Sequence, residues 1–145
     1  MKVMYIFATY NKKVMGLFSN IFGTSNSEKE IIKSNVNWIP LNSLEQLEEI
    51  KELSKTESIV IFKHSTRCAI SRSVIKKFEN SFDEELSALK VYYLDLLSFR
   101  DVSNEVGYQF QVIHQSPQLL VVKNEVTVAF ASHYDIMSID LKTFI

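Results

Sequence analysis

The chain contains a single cysteine, Cys68, and its neighbours are residue types that favour thiol chemistry. The segment HSTRCAISRS (residues 64–73) places Arg67 directly before the cysteine, with Ser71 and Arg72 three and four positions after it. The thiolate is the nucleophilic form of cysteine, and nearby arginines stabilise its negative charge. A serine can donate a hydrogen bond to that thiolate, but it cannot displace a mixed disulfide. The segment therefore indicates monothiol chemistry, in which an external thiol must release any sulfur group bound to the cysteine.

Two other interpretations of these residues remain open. A lone cysteine is often a small buried hydrophobic residue without chemistry. The histidines His64, His114 and His133 could join Cys68 in a metal site, but their spacing matches no zinc signature, and we predict no metal. A loop histidine more often donates a structural hydrogen bond, or tunes a nearby thiol, as His114 could from its place before Pro117.

Periodic segments place Cys68 at the junction between a strand and a helix. The run SIVIFK (58–63) is apolar and rich in β-branched residues, which is typical of a strand buried on both faces. Apolar residues at helical spacing follow it, namely Ile70, Val74, Phe78 and Phe82. The free amide groups and the dipole at the start of a helix favour negative charge, and ligands of open α/β sheets bind at the carboxyl edge of the strands. We therefore expect the helix terminus to stabilise a thiolate at Cys68.

The rest of the pattern predicts alternating strands and helices. Strands are predicted at 37–41, 91–95, 118–123 and 126–132, and helices at 44–54, 100–110 and 136–144, with a capping box at Ser43 and Gln46 and a two-residue hairpin connection at Asn124-Glu125. The order β-α-β-α-β-α-β-β-α implies parallel crossovers and a final hairpin that adds an antiparallel edge. It predicts a three-layer α/β/α sandwich with a mixed sheet.

The first part of the chain differs from the rest. Apolar residues at helical spacing predict an amphipathic helix over residues 12–22, Gly23 ends the pattern, and a polar linker follows over residues 24–30. We predict an N-terminal extension over residues 1–36 and one domain over residues 37–145. The extension would be a loosely attached tail, a helix packed on the domain, or a docking helix for a membrane surface or a partner.

The composition excludes several classes of protein. Sixteen basic and seventeen acidic residues give a net charge of −1, which does not supply the basic face that nucleic-acid binding requires. One cysteine cannot form an intramolecular disulfide, so we expect a reducing, cytoplasmic compartment. No run approaches the roughly 20 apolar residues of a membrane span, and we expect no stable membrane insertion.

A proline at the start of the fourth predicted strand adds to the case for thiol chemistry. Pro117 directly precedes QLLVVK, and proline is tolerated at the first position of a strand. Thioredoxin-like folds carry a cis-proline at this place, facing the redox cysteine. The alternative is an ordinary trans-proline, which is the commoner state of such bonds.

Three separated motifs resemble the monothiol bacilliredoxin family of the bacillithiol system. They are FKHSTRCAIS, YYLDLLSFRDVSNEVGYQFQVIHQSPQLLVVKN and ASHYDI, in the right order and with the right gaps. The resemblance covers about residues 38–145, and it implies a thioredoxin-like fold that removes bacillithiol from S-thiolated proteins. The chain departs from the family at Ala69, where members usually have proline, and at Tyr134, where they tend to have tryptophan.

The resemblance also implies roles for individual residues. Cys68 would be the nucleophile, Pro117 the cis-proline, and the backbone of Ser116 would pair with the cysteinyl part of the thiol. Bacillithiol bears a malate unit, so cationic residues are expected to bind it; the candidates are Lys63 and Arg67, with Arg72 weaker. Bacillithiol would be the co-substrate, with no bound cofactor, and S-bacillithiolated proteins would be the partners.

Two alternatives from other functional classes stay open at this point. One is a thioredoxin-fold binding or adaptor module whose cysteine is not catalytic. The other is a monothiol glutaredoxin-like protein that uses a different thiol or coordinates an iron–sulfur cluster. The pH dependence of cysteine alkylation and the visible absorbance of the purified protein would separate these alternatives from a bacilliredoxin.

Overall fold

A computed structural model describes residues 34–145 and shows a five-stranded sheet with helices on both faces. The strands are β1 (Trp38–Pro40), β2 (Ile59–His64), β3 (Lys90–Asp95), β4 (Gln118–Lys123) and β5 (Val126–Ser132). The α-helices are α1 (Glu45–Ser54), α2 (Ala69–Ser81) and α3 (Arg100–Gln109), and shorter 3₁₀ helices span Glu84–Ala88, His133–Ser138 and Leu141–Phe144. None of the helices between residues 34 and 145 is long and apolar enough to cross a membrane.

The sheet is mixed, as the sequence predicts. Its strand order is β1-β3-β2-β4-β5, with β1, β3 and β2 parallel and with β4 antiparallel to β2 and β5 antiparallel to β4. Lys63 pairs with Gln118, so the start of β4 lies beside the end of β2. The loop after β2 and the loop before β4 therefore meet at one edge of the sheet.

Each face of the sheet has its own hydrophobic core. Every residue of β2 is buried, and alternate side chains point to opposite faces. Val60 and Phe62 pack in a cluster that includes Val74 and Phe78 of α2. Residues of the opposite parity pack with α1 and α3 in a second cluster, with Ile59, Ile61, Leu47, Ile50, Val102 and Val106 among its members. Three layers result, which confirms the predicted α/β/α sandwich.

Helix α2 is anchored by aromatic packing. The ring of Phe78 lies 5.1 Å from that of Phe62 and 5.7 Å from those of Trp38 and Phe82. The indole Nε1–H of Trp38 donates a hydrogen bond to Glu79, at 2.8 Å. Burying each such side chain contributes about 1.5–3 kcal/mol. The packing fixes the helix whose first turn follows Cys68.

The predicted hairpin between β4 and β5 is confirmed. Asn124 and Glu125 have positive φ angles of 51° and 66°, as a two-residue turn with both central residues left-handed requires. Their amide groups donate to the carbonyl oxygen and the Oγ of Ser54, at 2.7 and 2.9 Å. The turn is therefore fixed to the end of α1.

The prediction of a final helix at 136–144 is wrong, because two short 3₁₀ helices occupy this region. Ile136 and Leu141 are both buried in the same core. Five residues along an α-helix rotate by about 140°, so one continuous helix would turn them to different sides. Asp140 interrupts the run in an extended conformation, and its side chain accepts a hydrogen bond from the amide of Lys142.

Two further local predictions need correction, and two stay untested. Helix α1 begins at Glu45, and only half of the capping box forms, with Gln46 Oε1 accepting from the amide of Ser43 at 3.1 Å. The 3₁₀ helix at Glu84–Ala88 has no counterpart in the predicted elements. The predicted helix at 12–22 and its linker lie outside the described residues. The division between residues 36 and 37 stays a prediction, although Val36 already packs in the core.

Candidate active site

Cys68 is the N-cap residue of α2, the position at which the chain enters the helix. Its backbone is extended, with φ −98° and ψ 124°, and the residue is partly exposed. Its carbonyl accepts the first helical hydrogen bond, from the amide of Arg72 at 3.0 Å, and its own amide donates to the carbonyl of Ser65 at 3.2 Å. The thiol thus stands at the positive end of the helix dipole, which stabilises an anion. The predicted strand-to-helix junction is confirmed, while the catalytic role of the thiol stays a prediction.

Ser71 does not contact the thiol in the way that the sequence predicts. This serine has no exposed surface, and its Oγ accepts from the amide of Ser65 at 3.0 Å and lies 2.8 Å from His64 Nδ1. Within residues 34–145, no hydrogen bond joins Ser71 to Cys68. The expectation that this hydroxyl donates to the thiolate is wrong, because the partner of the hydroxyl is the buried imidazole of His64.

His64 lies under the start of α2 in a buried polar cluster. It is the last residue of β2, it is 5% exposed, and it shares the α2 face of the sheet with Phe62. The ring of Tyr93 lies 5.7 Å away, and Asp95 pairs with His64 in the register of β3. Burial lowers the pKa of His64, Asp95 opposes this shift and Arg72 adds to it. The imidazole is therefore neutral at neutral pH.

The Ser116–Pro117 peptide bond is cis, and Pro117 is buried beside the end of β2. Its carbonyl accepts a hydrogen bond from the amide of His133 at 2.9 Å, and the carbonyl of His64 accepts one from Leu96 at 3.1 Å. These two bonds join the loops at this edge through main-chain atoms. The Oγ of Ser116 is buried and has no partner among the described residues.

Contrary to the sequence prediction, Lys63 is not available to bind an anionic thiol at Cys68. Strand alternation turns it to the face opposite α2, and it has no exposed surface. Its Nζ lies 2.7 Å from His114 Nδ1 and donates to Gln118 Oε1 at 3.4 Å. Burial lowers the pKa of Lys63 to about 8. The expectation that Lys63 binds the malate of a thiol is corrected, because this ammonium pairs with the loop that leads to Pro117.

The remaining predicted site residues fall into two groups. Arg67 and Arg72 flank Cys68 and are exposed, and no ion pair engages either of them within residues 34–145. They remain the candidates for binding an anionic thiol. His114 pairs with Lys63, and its pKa is lowered by burial and by the charges of Lys63 and Arg100. Among the described residues, no group of three or more His, Cys, Asp and Glu side chains is placed to bind a metal ion.

Sequence reasoning missed the contact between His64 and Ser71. Strand parity could have predicted this contact, because His64 has the same parity as Val60 and Phe62, whose side chains pack on α2. A polar residue of that parity at the end of the strand must meet the first turn of the helix. Strand parity also predicts the face on which Lys63 lies. Its parity is opposite to that of His64, so its side chain lies on the other face of the sheet, where it contacts His114.

Comparisons with known proteins agree with this geometry. The family model described as monothiol bacilliredoxin BrxC matches residues 39–141. A solved thioredoxin-fold protein described as a candidate oxidoreductase is 30% identical, with a TM-score of 0.59, and the match covers 68% of this chain and 85% of that one.

More distant structures share the fold alone. Thioredoxin from Malassezia sympodialis is 19% identical, with a TM-score of 0.56 and coverage of 68% of this chain and 81% of that one. Thioredoxin from Trypanosoma brucei brucei is 15% identical, with a TM-score of 0.57 and coverage of 78% and 90%. The described part of the chain therefore has a thioredoxin fold.

Proposed function

Because this chain belongs to the monothiol bacilliredoxin family and is a thiol redox protein, we propose that it removes bacillithiol from S-bacillithiolated proteins. One observation carries the proposal. The only cysteine of the chain stands, partly exposed, at the N-cap of α2, a helix terminus whose dipole favours negative charge. We place the reaction in the reducing cytoplasm, where a free cysteine persists.

The reaction consists of two thiol–disulfide exchanges. In the first, the Cys68 thiolate attacks the bacillithiol sulfur of the client's mixed disulfide. The bond between bacillithiol and the client breaks, the client cysteine leaves as a thiolate and takes a proton from solvent, and bacillithiol becomes disulfide-bonded to Cys68.

In the second exchange, the thiolate of another bacillithiol attacks the bacillithiol sulfur on Cys68. Oxidised bacillithiol forms and the Cys68 thiolate is regenerated, so one client disulfide is reduced for each two bacillithiol units joined. Ser71 cannot take the place of this second thiol, because a hydroxyl does not resolve a disulfide. The resolving thiol must therefore come from outside the chain.

The neighbouring residues support binding of the thiol. The backbone of Ser116, beside the cis peptide bond, lies at the sheet edge that also carries Cys68 and can pair with the cysteinyl part of bacillithiol. The exposed guanidinium groups of Arg67 and Arg72 offer bidentate hydrogen bonds to the carboxylates of the malate unit. Lys63 is not assigned to this role, because it is buried on the other face.

Intact-mass analysis tests the proposal directly. The full-length protein is incubated with oxidised bacillithiol, and one adduct of bacillithiol mass located on Cys68 is expected. A bacillithiolated client protein with reduced bacillithiol should then lose its adduct in the presence of wild type but not of Cys68→Ser.

The controls separate this function from the alternatives. Oxidised glutathione under the same conditions should give much less adduct, and equal labelling by the two disulfides would favour a glutaredoxin-like protein. Equal de-bacillithiolation by wild type and Cys68→Ser would end the proposal. A visible absorbance band in freshly purified protein would point to an iron–sulfur cluster instead.

A further inference from the structure

The contact between Ser71 and His64 fixes where the hydroxyl hydrogen of the serine lies. Ser71 Oγ already accepts from the amide of Ser65. Within the described part of the chain, the only other polar atom bonded to this buried hydroxyl is His64 Nδ1, at 2.8 Å. A buried hydroxyl that does not donate forgoes a hydrogen bond at a cost in free energy, as the hydroxyls of Ser103 and Ser116 do among the described residues. Donation to Nδ1 satisfies this hydroxyl, and it requires that neutral His64 carry its own hydrogen on Nε2.

This arrangement withholds the hydroxyl from the cysteine. A serine hydroxyl has one hydrogen to donate, and here it is committed to the imidazole. Cys68 and Ser71 are the N-cap and the third residue of α2, and side chains at these two positions lie next to each other. The serine of the Cys-x-x-Ser motif is thus one helical turn from the cysteine, and within residues 34–145 no hydrogen bond joins the two side chains.

Protonation of His64 would reverse the direction of this hydrogen bond. An imidazolium carries hydrogen on both nitrogens, so Nδ1–H must donate and Ser71 Oγ must accept. The oxygen would then accept from His64 and from the amide of Ser65, and its own hydrogen would be free. The partly exposed thiolate of Cys68, one turn earlier on α2, would accept that hydrogen once its side chain rotates toward Ser71.

We propose that His64 is a positioning residue that controls the Ser71 hydroxyl: neutral His64 holds its hydrogen, and protonated His64 releases it to the Cys68 thiolate. The inference rests on the proposed function only in taking Cys68 as the reactive thiol. It deepens that function by adding a pH-dependent hydrogen bond to the thiol, one that strengthens as the medium becomes more acidic.

The charged and titratable groups around His64 set the range of this response. From β3, Asp95 favours the imidazolium, and the phenol of Tyr93 packs against the ring. From α2, Arg72 disfavours the imidazolium. The neighbouring Lys63 points to the other face of the sheet. Burial has the largest effect and favours the neutral ring, so release takes place on the acid side of the ordinary histidine range.

Nitrogen-15 NMR of wild-type protein tests the resting state without any substitution. At neutral pH, His64 should show a protonated Nε2 and an unprotonated Nδ1 that accepts a hydrogen bond, and Ser71→Ala should shift the Nδ1 resonance. A neutral His64 that carries its hydrogen on Nδ1 would overturn the proposal, because the hydroxyl would then already be free.

Ultraviolet absorbance of the thiolate, followed against pH, tests the release. Below the pH at which His64 becomes protonated, wild type should retain roughly tenfold more thiolate than Ser71→Ala, the size expected for a hydrogen bond to a charged group. His64→Asn keeps an acceptor for the serine but cannot titrate, and it should behave like Ser71→Ala.

The two variants separate the hydrogen bond from a simple effect of charge. An effect caused only by the positive charge of His64 would persist in Ser71→Ala and vanish in His64→Asn, and that result would overturn the proposal. These measurements use neither bacillithiol nor a client protein. Their failure would leave the de-bacillithiolation activity intact, and loss of that activity would leave these measurements valid.

Discussion

The ammonium of Lys63 lies 2.7 Å from Nδ1 of His114, and it does so without any exposed surface. A buried cation thus joins the end of β2 to the loop that leads into Pro117. Gln118 completes the link, since its Oε1 accepts from Lys63 and its Nε2 donates to the carbonyl of Ile113 at 3.0 Å. The loop is held by side chains on the face of the sheet opposite Cys68.

Lys63→Met should change how the stability of the protein depends on alkaline pH. Burial lowers the pKa of Lys63 from 10.5 to about 8, so the unfolded chain binds more protons between these values. The free energy of unfolding of wild type should therefore rise from about pH 8 to pH 10.5, by about 2–3 kcal/mol from this group. Urea unfolding at several pH values should show a smaller rise in Lys63→Met.

Lys76→Met is the matched control for this prediction, because Lys76 is an exposed lysine of α2. It should keep the alkaline rise of wild type. If Lys63→Met keeps the same rise, the ammonium of Lys63 is not buried in the folded state.

Acid should weaken the fold through two histidines. Burial lowers the pKa of both His64 and His114 from 6.5, so each is neutral in the folded state when the unfolded chain begins to bind protons. The free energy of unfolding should fall as the pH decreases below about 6.5. Urea unfolding between about pH 7.5 and pH 5 should show a shallower loss for His64→Asn than for wild type.

The third histidine serves as the comparison. His133→Asn should lose stability with acid as steeply as wild type does, and asparagine tolerates the positive φ of 56° at this position. An equal acid loss in wild type and His64→Asn would contradict the prediction.

Ala69→Pro should be tolerated and should stabilise the protein by about 0.5–1 kcal/mol. Ala69 is the first residue of α2, where proline removes an amide that has no helical partner. Proline also requires an extended residue before it, and Cys68 already has φ −98° and ψ 124°. Thermal unfolding measures the gain.

Arg72→Pro is the contrasting variant, because the amide of Arg72 donates to the carbonyl of Cys68. It should cost about 3 kcal/mol or more. A large loss of stability in Ala69→Pro would show that the helix begins elsewhere.

Ser103→Ala should raise the free energy of unfolding by roughly 0.5–2 kcal/mol. Ser103 is 2% exposed within α3, and its Oγ has no partner among the described residues. Alanine removes that unpaired hydroxyl and is the better helix former. Denaturant unfolding at neutral pH is the measurement.

Ser54 is an equally buried serine, and we expect its replacement by alanine to have the opposite effect on stability. Its Oγ donates to the carbonyl of Lys51 at 2.6 Å and accepts from the amide of Glu125, so Ser54→Ala should lower stability by about 1–3 kcal/mol. Equal effects of the two substitutions would mean that hydrogen bonding does not distinguish these sites.

Most of the fold follows from local pattern, and the failures have physical causes. The strands β2, β4 and β5 are predictable because alternating and continuous apolar runs report burial directly. The end of the chain is not, because Ile136 and Leu141 meet the core at a spacing that belongs to neither helix nor strand. Two short 3₁₀ helices satisfy that spacing.

The candidate site, like the fold, is only partly predictable from the sequence. The place of Cys68 at a strand-to-helix junction follows from periodicity, and so does that of Pro117 before a strand. The partners of Lys63 and Ser71 do not, because they depend on which face of β2 a side chain takes and on how closely α2 approaches it. Strand parity supplies the first of these facts, and only the tertiary structure supplies the second.

Two peptide–peptide hydrogen bonds hold the loops around Cys68, from Leu96 to His64 and from His133 to Pro117. Such bonds do not depend on which side chain each residue carries. A substitution at position 69 can thus change the side chain beside the cysteine while the scaffold that presents the sulfur stays the same.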